Sequence, residues 1–276
     1  MKIILLILLV LAQSSVCLYA QVTLSVQSAD SINTLAKAFQ KTGNESYMKG
    51  DGEQAIRAFI QAYDLYLQNN NTKAGAICLH SIAFAYDELL HDDKQALNYT
   101  GKSIAIHRDI GDTLEMANMY KYAGMLKGRL GMYSAAKADI DMAINLFRQK
   151  EYAPGVAVSM FDLALVYIGE KKPDSAIYYL ERAKEYWVAV DNPGRIFNLN
   201  NVYMDVLYSA KETMKCRAII NENEEIMGKA KIFFRDKLDF YSKAAKYSFK
   251  EPGYNSGRYA SLYTQLSDSL NKQGIE

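Results

Sequence analysis

Gly43-Asn44-Glu45-Ser46-Tyr47-Met48-Lys49-Gly50-Asp51-Gly52-Glu53-Gln54-Ala55-Ile56, continued by Phe59 and Ala62, is the stretch on which the fold turns. Gly43 and Tyr47 stand four apart and share one helical face. Ala55, Phe59 and Ala62 share another, beyond a Gly-Asp break that a helix does not tolerate in its interior. Two antiparallel helices approach within about 8–10 Å only where small side chains meet. A small residue on each side of a tight turn therefore predicts a closely packed helical hairpin.

The pattern recurs. The third copy reads Gly124, Gly131, Tyr133, Ala136, Ile140 and Ala143; the fourth reads Leu163, Ala164, Tyr167, Ala176, Ile177, Leu180 and Ala183. In the second, Ile82, Ala83 and Tyr86 lead to Ala96, Leu97 and Ser103, with one extra residue assigned to the turn around His91-Asp92-Asp93. The anchoring small residues Ala55, Ala96, Ala136 and Ala176 lie 41, 40 and 40 apart, and a further 40 lands on Cys216. Gly50-Asp51 and Leu130-Gly131 separate the helices, since Gly adopts the left-handed conformation that ends a helix. Asp174-Ser175 after Pro173 is read as a helix start with a capping side chain. Period-two alternation is confined to Val22–Val26, so the chain is expected to be all-α.

These marks resemble the tetratricopeptide repeat: Gly or Ala plus Tyr on the first helix, the Gly-Asp turn, and Ala-x-x-x-Phe-x-x-Ala on the second. The resemblance covers about residues 31–230. It implies a right-handed superhelical α-solenoid of stacked antiparallel hairpins. The period of 40 rather than the family's 34 implies longer helices, as in exported bacterial regulatory and sensor proteins of this type. The fifth unit departs, with Cys216 for Ala and no Gly/Tyr pair. Past residue 230 the period fades. Ile232, Phe233, Leu238, Tyr241, Ala245 and Tyr247, then Tyr259, Leu262, Tyr263, Leu266 and Leu270, predict a capping hairpin over 231–276 with Glu251-Pro252-Gly253 between its helices. Its outer face is polar through Ser261, Gln265, Asp268 and Lys272.

Lys2 precedes an apolar run from Ile3 to Ala12, a helix of roughly 15 Å, about half the thickness of a bilayer core. A small residue follows at Ala20. This is the pattern of a secretory signal over 1–20, followed by a flexible leader over 21–30. Val16 sits where a lipobox needs Gly, Ala or Ser, which weighs against a lipid anchor at Cys17. The expected location is the periplasm or cell envelope of a Gram-negative bacterium. Only Cys78 and Cys216 remain after Cys17, too few for a disulfide framework, and they read as buried core thiols.

Half of the 276 residues are hydrophobic and 23% are charged, a globular composition. Lys plus Arg is 32 against 31 for Asp plus Glu, which gives no accumulated basic charge for nucleic acid. Ala96-Leu97-Asn98-Tyr99-Thr100-Gly101-Lys102-Ser103 satisfies a relaxed phosphate-loop pattern. It lies in a helical register with no strand before it, so the phosphate reading fails. His80, His91 and His107 form no metal pattern, and no Gly-x-Ser-x-Gly elbow or catalytic acid pair occurs. Asp30-Ser31-Ile32, Asp112-Thr113-Leu114, Asp174-Ser175-Ala176 and Asp268-Ser269-Leu270 resemble an O-glycosylation signal of exported bacterial proteins, yet Asp before Ser or Thr is also how helices begin. The cluster Tyr178-Tyr179, Tyr186 and Trp187 reads as core between repeats.

Neither an enzyme nor a cofactor is expected. The first helices of the resembled fold line a concave groove, and the register places Asn44, Tyr47, His80, Phe84, Asp87, Lys121, Met125, Phe161, Leu165, Asn198, Asn201 and Asp205 on it. Aromatic, amide and single-charge groups suit an extended peptide or a helix of a protein partner. The expected function is a non-enzymatic exported scaffold. The alternative is the ligand-sensing periplasmic ectodomain of a membrane-anchored regulator.

Overall fold

The computed structural model describes residues 29–248 and 256–273. The expected signal segment, Cys17, all but the end of the leader, and Glu251-Pro252-Gly253 lie outside the described residues. Among the described residues there are twelve α-helices and no strand. The chain divides into two compact units, Met1–Gly111 and Asp112–Glu276.

The first unit holds the hairpins α1 (Ala29–Met48) with α2 (Gly52–Gln68), and α3 (Thr72–Phe84) with α4 (Asp93–Asp109). The second holds α5 (Thr113–Arg129) with α6 (Tyr133–Gln149), α7 (Ala153–Gly169) with α8 (Pro173–Ala189), and α9 (Pro193–Ser209) with α10 (Thr213–Lys229). It ends in α11 (Phe234–Ser248) and α12 (Ser256–Gln273). Consecutive helices pack pairwise, so each unit is all-α and built of stacked hairpins.

The period has a plain local origin. Helices α2 and α4 to α10 each span 17 residues and the links between helices from Met48 to Thr213 are of three, so helix starts from Gly52 to Thr213 fall 20 residues apart, save for the 21 from Thr72 to Asp93. One residue per link is left-handed: Gly50, Asn70, His91, Gly111, Gly131, Glu151, Lys171, Asp191 and Lys211. The N–H of the following residue closes a six-residue loop back onto the helix, as in Met132 to the Lys127 carbonyl and Lys172 to the Tyr167 carbonyl, both 2.9 Å. The left-handed residue itself donates to the carbonyl three before it, as in Gly131 to Gly128 at 3.1 Å and Lys171 to Ile168 at 3.0 Å, and the two bonds of this lock dictate the conformation even where the residue resists it. A left-handed lysine carries about 1 kcal/mol of strain that glycine does not. Lys171→Gly and Lys211→Gly are therefore each expected to stabilise the second unit by about 0.5 kcal/mol, after the extra freedom of unfolded glycine is allowed for. Urea unfolding of the single and double variants measures it.

The extra residue of the second repeat is not in the turn around His91. The link Leu90–Asp92 has the standard length, with His91 left-handed at φ 52°. The insertion is absorbed earlier, as a π-helical turn over Ala85–Leu89 at the end of α3. A helix accommodates one added residue as a bulge more easily than the locked turn does. The capping at Asp174 also differs from expectation. Lys172 is the N-cap of α8, with no side-chain capping bond to the helix, and Asp174 lies in the first turn, where its charge meets the helix dipole. The capping side chains are Asp51, Asn71, Asp92, Asp112 and Asn192.

The small residues sit where nesting requires them. Ala55, Ala96, Ala136 and Ala176 are 0% exposed and Cys216 is 3% exposed. A Cβ added to Gly43 would lie 2.6 Å from the Phe59 ring. Burial pushes the Cys78 thiol up to about 12 and the Cys216 thiol up to about 11, so neither is reactive at neutral pH. At the end of the second unit, Tyr259 and Leu270 are buried while Ser261, Gln265, Asp268 and Lys272 are exposed, as a terminal helix requires. Tyr263, grouped with the apolar stripe in the sequence reading, is instead 41% exposed.

Candidate functional site

In the first unit the expected groove residues come from α1, α3 and the π turn. Asn44 is exposed, and Tyr47 is half-buried with its O–H donating to the Glu88 carboxylate. The π turn carries Asp87 and Glu88, of which Asp87 is buried. Burial first, and then the bond to Glu88, push the Tyr47 phenol up to about 12. His80 and Phe84 lie one turn apart on α3 with ring centroids at 4.3 Å. Tyr47 of the first hairpin thus meets Glu88 of the second, while His80 and Phe84 pair along α3.

In the second unit the register places Lys121 and Met125 on α5 and Phe161 and Leu165 on α7. Lys121, Met125 and Phe161 are half-buried, and Leu165 is 38% exposed. The last three expected residues have a different role, because α11 docks on them. Asn201 is buried, donates to the Asp236 carbonyl at 3.1 Å and accepts from Asn223 at 3.0 Å. Asp205 pairs with Lys243 at 2.9 Å and accepts the Tyr247 O–H. The exposed Asn198, with its amide turned to donate, reaches the Asp236 carboxylate at 3.0 Å. These three polar side chains anchor the terminal hairpin, and Asn201 is out of reach of any ligand.

Sequence reasoning missed Asp162. This half-buried carboxyl on α7 lies within the field of Lys121 on α5 and Arg195 on α9. Burial pushes it up to about 6, with Lys121 and then Arg195 opposing. The signal was present: 40 residues before and after it stand Tyr122 and Val202, so a carboxylate occupies an otherwise apolar column. A folded-state value above the ordinary 3.8 means that the native protein holds this proton through a window in which the unfolded chain has lost it. Stability falls as pH rises from about 4 to about 6, and the full penalty stands at pH 7. Asp162→Asn removes it, so the variant should gain about 2 kcal/mol at pH 7, allowing for partial screening, and almost nothing at pH 4. Denaturant titrations at the two pH values test this.

The other sequence signals resolve simply. Ala96 to Ser103 lie wholly within α4, where the Thr100 hydroxyl donates to the Ala96 carbonyl at 2.7 Å. His91 is an exposed turn residue, and His107 is 1% exposed in the last turn of α4. Trp187 is buried and Tyr179 stacks on Tyr167 at 5.4 Å, both within the core, while Tyr178 is 53% exposed. Among the described residues no group of three or more His, Cys, Asp and Glu side chains is placed to hold a metal. Among the same residues no helix is long and apolar enough to cross a membrane.

No protein-family model matches the sequence, and no curated protein is significantly similar to it. Solved structures are. A putative kinesin light chain from Podosopora anserina with nearly identical TPR-like repeats aligns at 12% identity over 72% of this chain and 97% of its own, with a TM-score of 0.59. A signal-transduction ATPase from Pyrococcus horikoshii with a tetratricopeptide-repeat sensor aligns at 17% identity over 88% of this chain and 38% of its own, with a TM-score of 0.72. The Rap conjugation gene regulator of the plasmid pLS20, in complex with the Phr* peptide, aligns at 18% identity over 85% of this chain and 62% of its own, with a TM-score of 0.60. At such identities the likeness establishes architecture, and together with the nested hairpins and the 20-residue element period it makes this chain an all-α solenoid of the tetratricopeptide-repeat fold.

Proposed function

We propose that the chain is an exported, non-enzymatic scaffold whose second unit binds a protein or peptide along its first helices. The observation that carries this reading is the composition of the α5–α7 surface. Met125, Phe161 and Leu165 are incompletely covered, with Lys121 and Asp162 of opposite charge beside them. An apolar strip that its own chain leaves part-open, with a cation and a carboxyl beside it, suits a peptide whose side chains bury while its charges align. The pLS20 Rap regulator, similar in fold, is a peptide complex. Export is supported by Lys2, the apolar run Ile3–Ala12 and the small residue Ala20.

A photo-crosslinking side chain at Leu165, compared in cells with one at Met142, which is exposed on α6, tests the binding surface. Adducts of one discrete size from position 165 alone, lost on Lys121→Glu, are expected. Equal labelling from both positions, or none, rejects the reading. Amino-terminal sequencing of the chain from fractionated cells tests export: a mature start near Gln21 in the envelope fraction is expected, and an unprocessed chain in the cytosol rejects it.

A further inference from the structure

A cavity of about 410 Å³ opens between the C-terminal halves of α6 and α8, floored by the N-terminal half of α7. It shares no residue with the α5–α7 surface described above. Its floor is Val156, Ala157 and Met160, and its walls include Tyr152 and Tyr186.

Forty residues after Ala157, at the same helical position, Phe197 is 0% exposed and its ring meets Phe240 of α11 at 5.5 Å, whereas the small side chain of Ala157 lines the cavity floor. The walls are held in place. The Tyr152 ring packs against Phe147 with centroids 5.6 Å apart, and Gly155 makes room for it, since a Cβ there would lie 2.7 Å from Tyr152 Cδ1. Tyr186 stands edge-on to Trp187 at 4.7 Å.

The mouth carries charge of both signs. Arg182 is committed to Glu185 at 3.0 Å. The side chains of Arg148 and Glu151 also line the cavity and are exposed, and neither has a hydrogen-bond or ion-pair partner among the described residues. A guanidinium binds a carboxylate through two parallel hydrogen bonds, and a carboxylate pairs with an ammonium. An uncommitted cation and an uncommitted anion, one turn apart over an apolar aromatic recess, complement a small zwitterion with an apolar side chain. The volume falls in the range of small-molecule sites, roughly 300–1,000 Å³.

We propose that this cavity binds a free apolar α-amino acid. The carboxylate meets Arg148, the ammonium meets Glu151, and the side chain lies on Val156, Ala157 and Met160 between Tyr152 and Tyr186. Calorimetric titration of the full-length protein with L-phenylalanine and L-leucine tests it. N-acetyl-L-phenylalanine, which lacks the cation, and L-phenylalaninamide, which lacks the anion, should each bind roughly tenfold more weakly than L-phenylalanine. Arg148→Gln should abolish the difference between phenylalanine and its amide, and Glu151→Gln the difference between phenylalanine and its acetyl derivative. Ala157→Phe should fill the recess and remove binding. Both glutamine substitutions are at exposed positions, so they decide the matter even if the phenylalanine variant does not fold. No heat with either amino acid at millimolar concentration, equal affinity for all three phenylalanine compounds, or indifference to both glutamine variants overturns the proposal.

Discussion

Gly124→Ala is expected to destabilise the second unit by about 3 kcal/mol, although alanine is the better helix former. The added Cβ would stand 2.4 Å from Ile140 Cγ1 and 2.9 Å from the Ala136 carbonyl oxygen. Ile140 is 0% exposed and has nowhere to retreat, and the carbonyl belongs to the backbone of α6. Relief requires α5 and α6 to separate, which loosens every contact along the hairpin. The same substitution at Gly101 in α4 meets nothing within 4 Å and should raise stability by about 0.8 kcal/mol through helix propensity alone. Denaturant unfolding of both variants, followed by hydrogen exchange to assign the loss to α5 and α6, gives the comparison. Neutral behaviour of Gly124→Ala would mean that the two helices do not nest at that point.

The second large effect concerns the end of the chain. Asn200, Asn201 and Asn223 are 0–3% exposed and linked in series. Asn200 Nδ2 donates to Asn223 Oδ1 at 2.9 Å, Asn223 Nδ2 donates to Asn201 Oδ1 at 3.0 Å, and Asn201 Nδ2 donates to the Asp236 carbonyl at 3.1 Å. Removing the middle member strands a donor and an acceptor in the interior. Each stranded group costs about 1–3 kcal/mol, so Asn223→Ala should lose about 4 kcal/mol. The loss should appear first in α11, because Asn201 is one of the side chains that hold it. Amide exchange across Phe234–Ser248 is the readout. Retained protection there, with the variant otherwise folded, would show that the apolar contacts of Phe240 and Tyr259 suffice to seat the terminal hairpin. Asn223→Leu should be about as damaging, because restored volume does not supply the missing bonds.

Much of the architecture was legible because it rests on contacts between neighbours in the chain. Ala55, Ala136 and Ala176 announce themselves by size, and Gly50 and Gly131 by their conformational freedom. The turns at Glu151, Lys171 and Lys211 carry no such mark. Their left-handed backbone is imposed by the two bonds of the helix-ending lock, which depend on main-chain atoms and leave no trace in residue type. The extra residue of the second repeat was visible as a count, but its place inside α3 was not, since a bulge and a longer turn consume the same number of residues.

The candidate surface was legible only in register. Lys121, Met125, Phe161 and Leu165 fall where the period puts them, partly open. Asn201 and Asp205 occupy the same register and look equally available in sequence, yet the carbonyl of Asp236 and the ammonium of Lys243 arrive from about forty residues later and claim them. Asp162 was overlooked because its column is apolar in the adjacent repeats.

The sequence by itself thus determined the all-α class, the hairpin unit and the positions of close approach, because each small residue answers to the helix beside it and that requirement repeats at a set interval. Only the tertiary structure decided which polar groups of the first helices remain open, where the α6–α8 recess lies and which of its charges are uncommitted. Exposure and cavity volume depend on what packs across from a residue, and no periodicity within one helix encodes the side chains of the next.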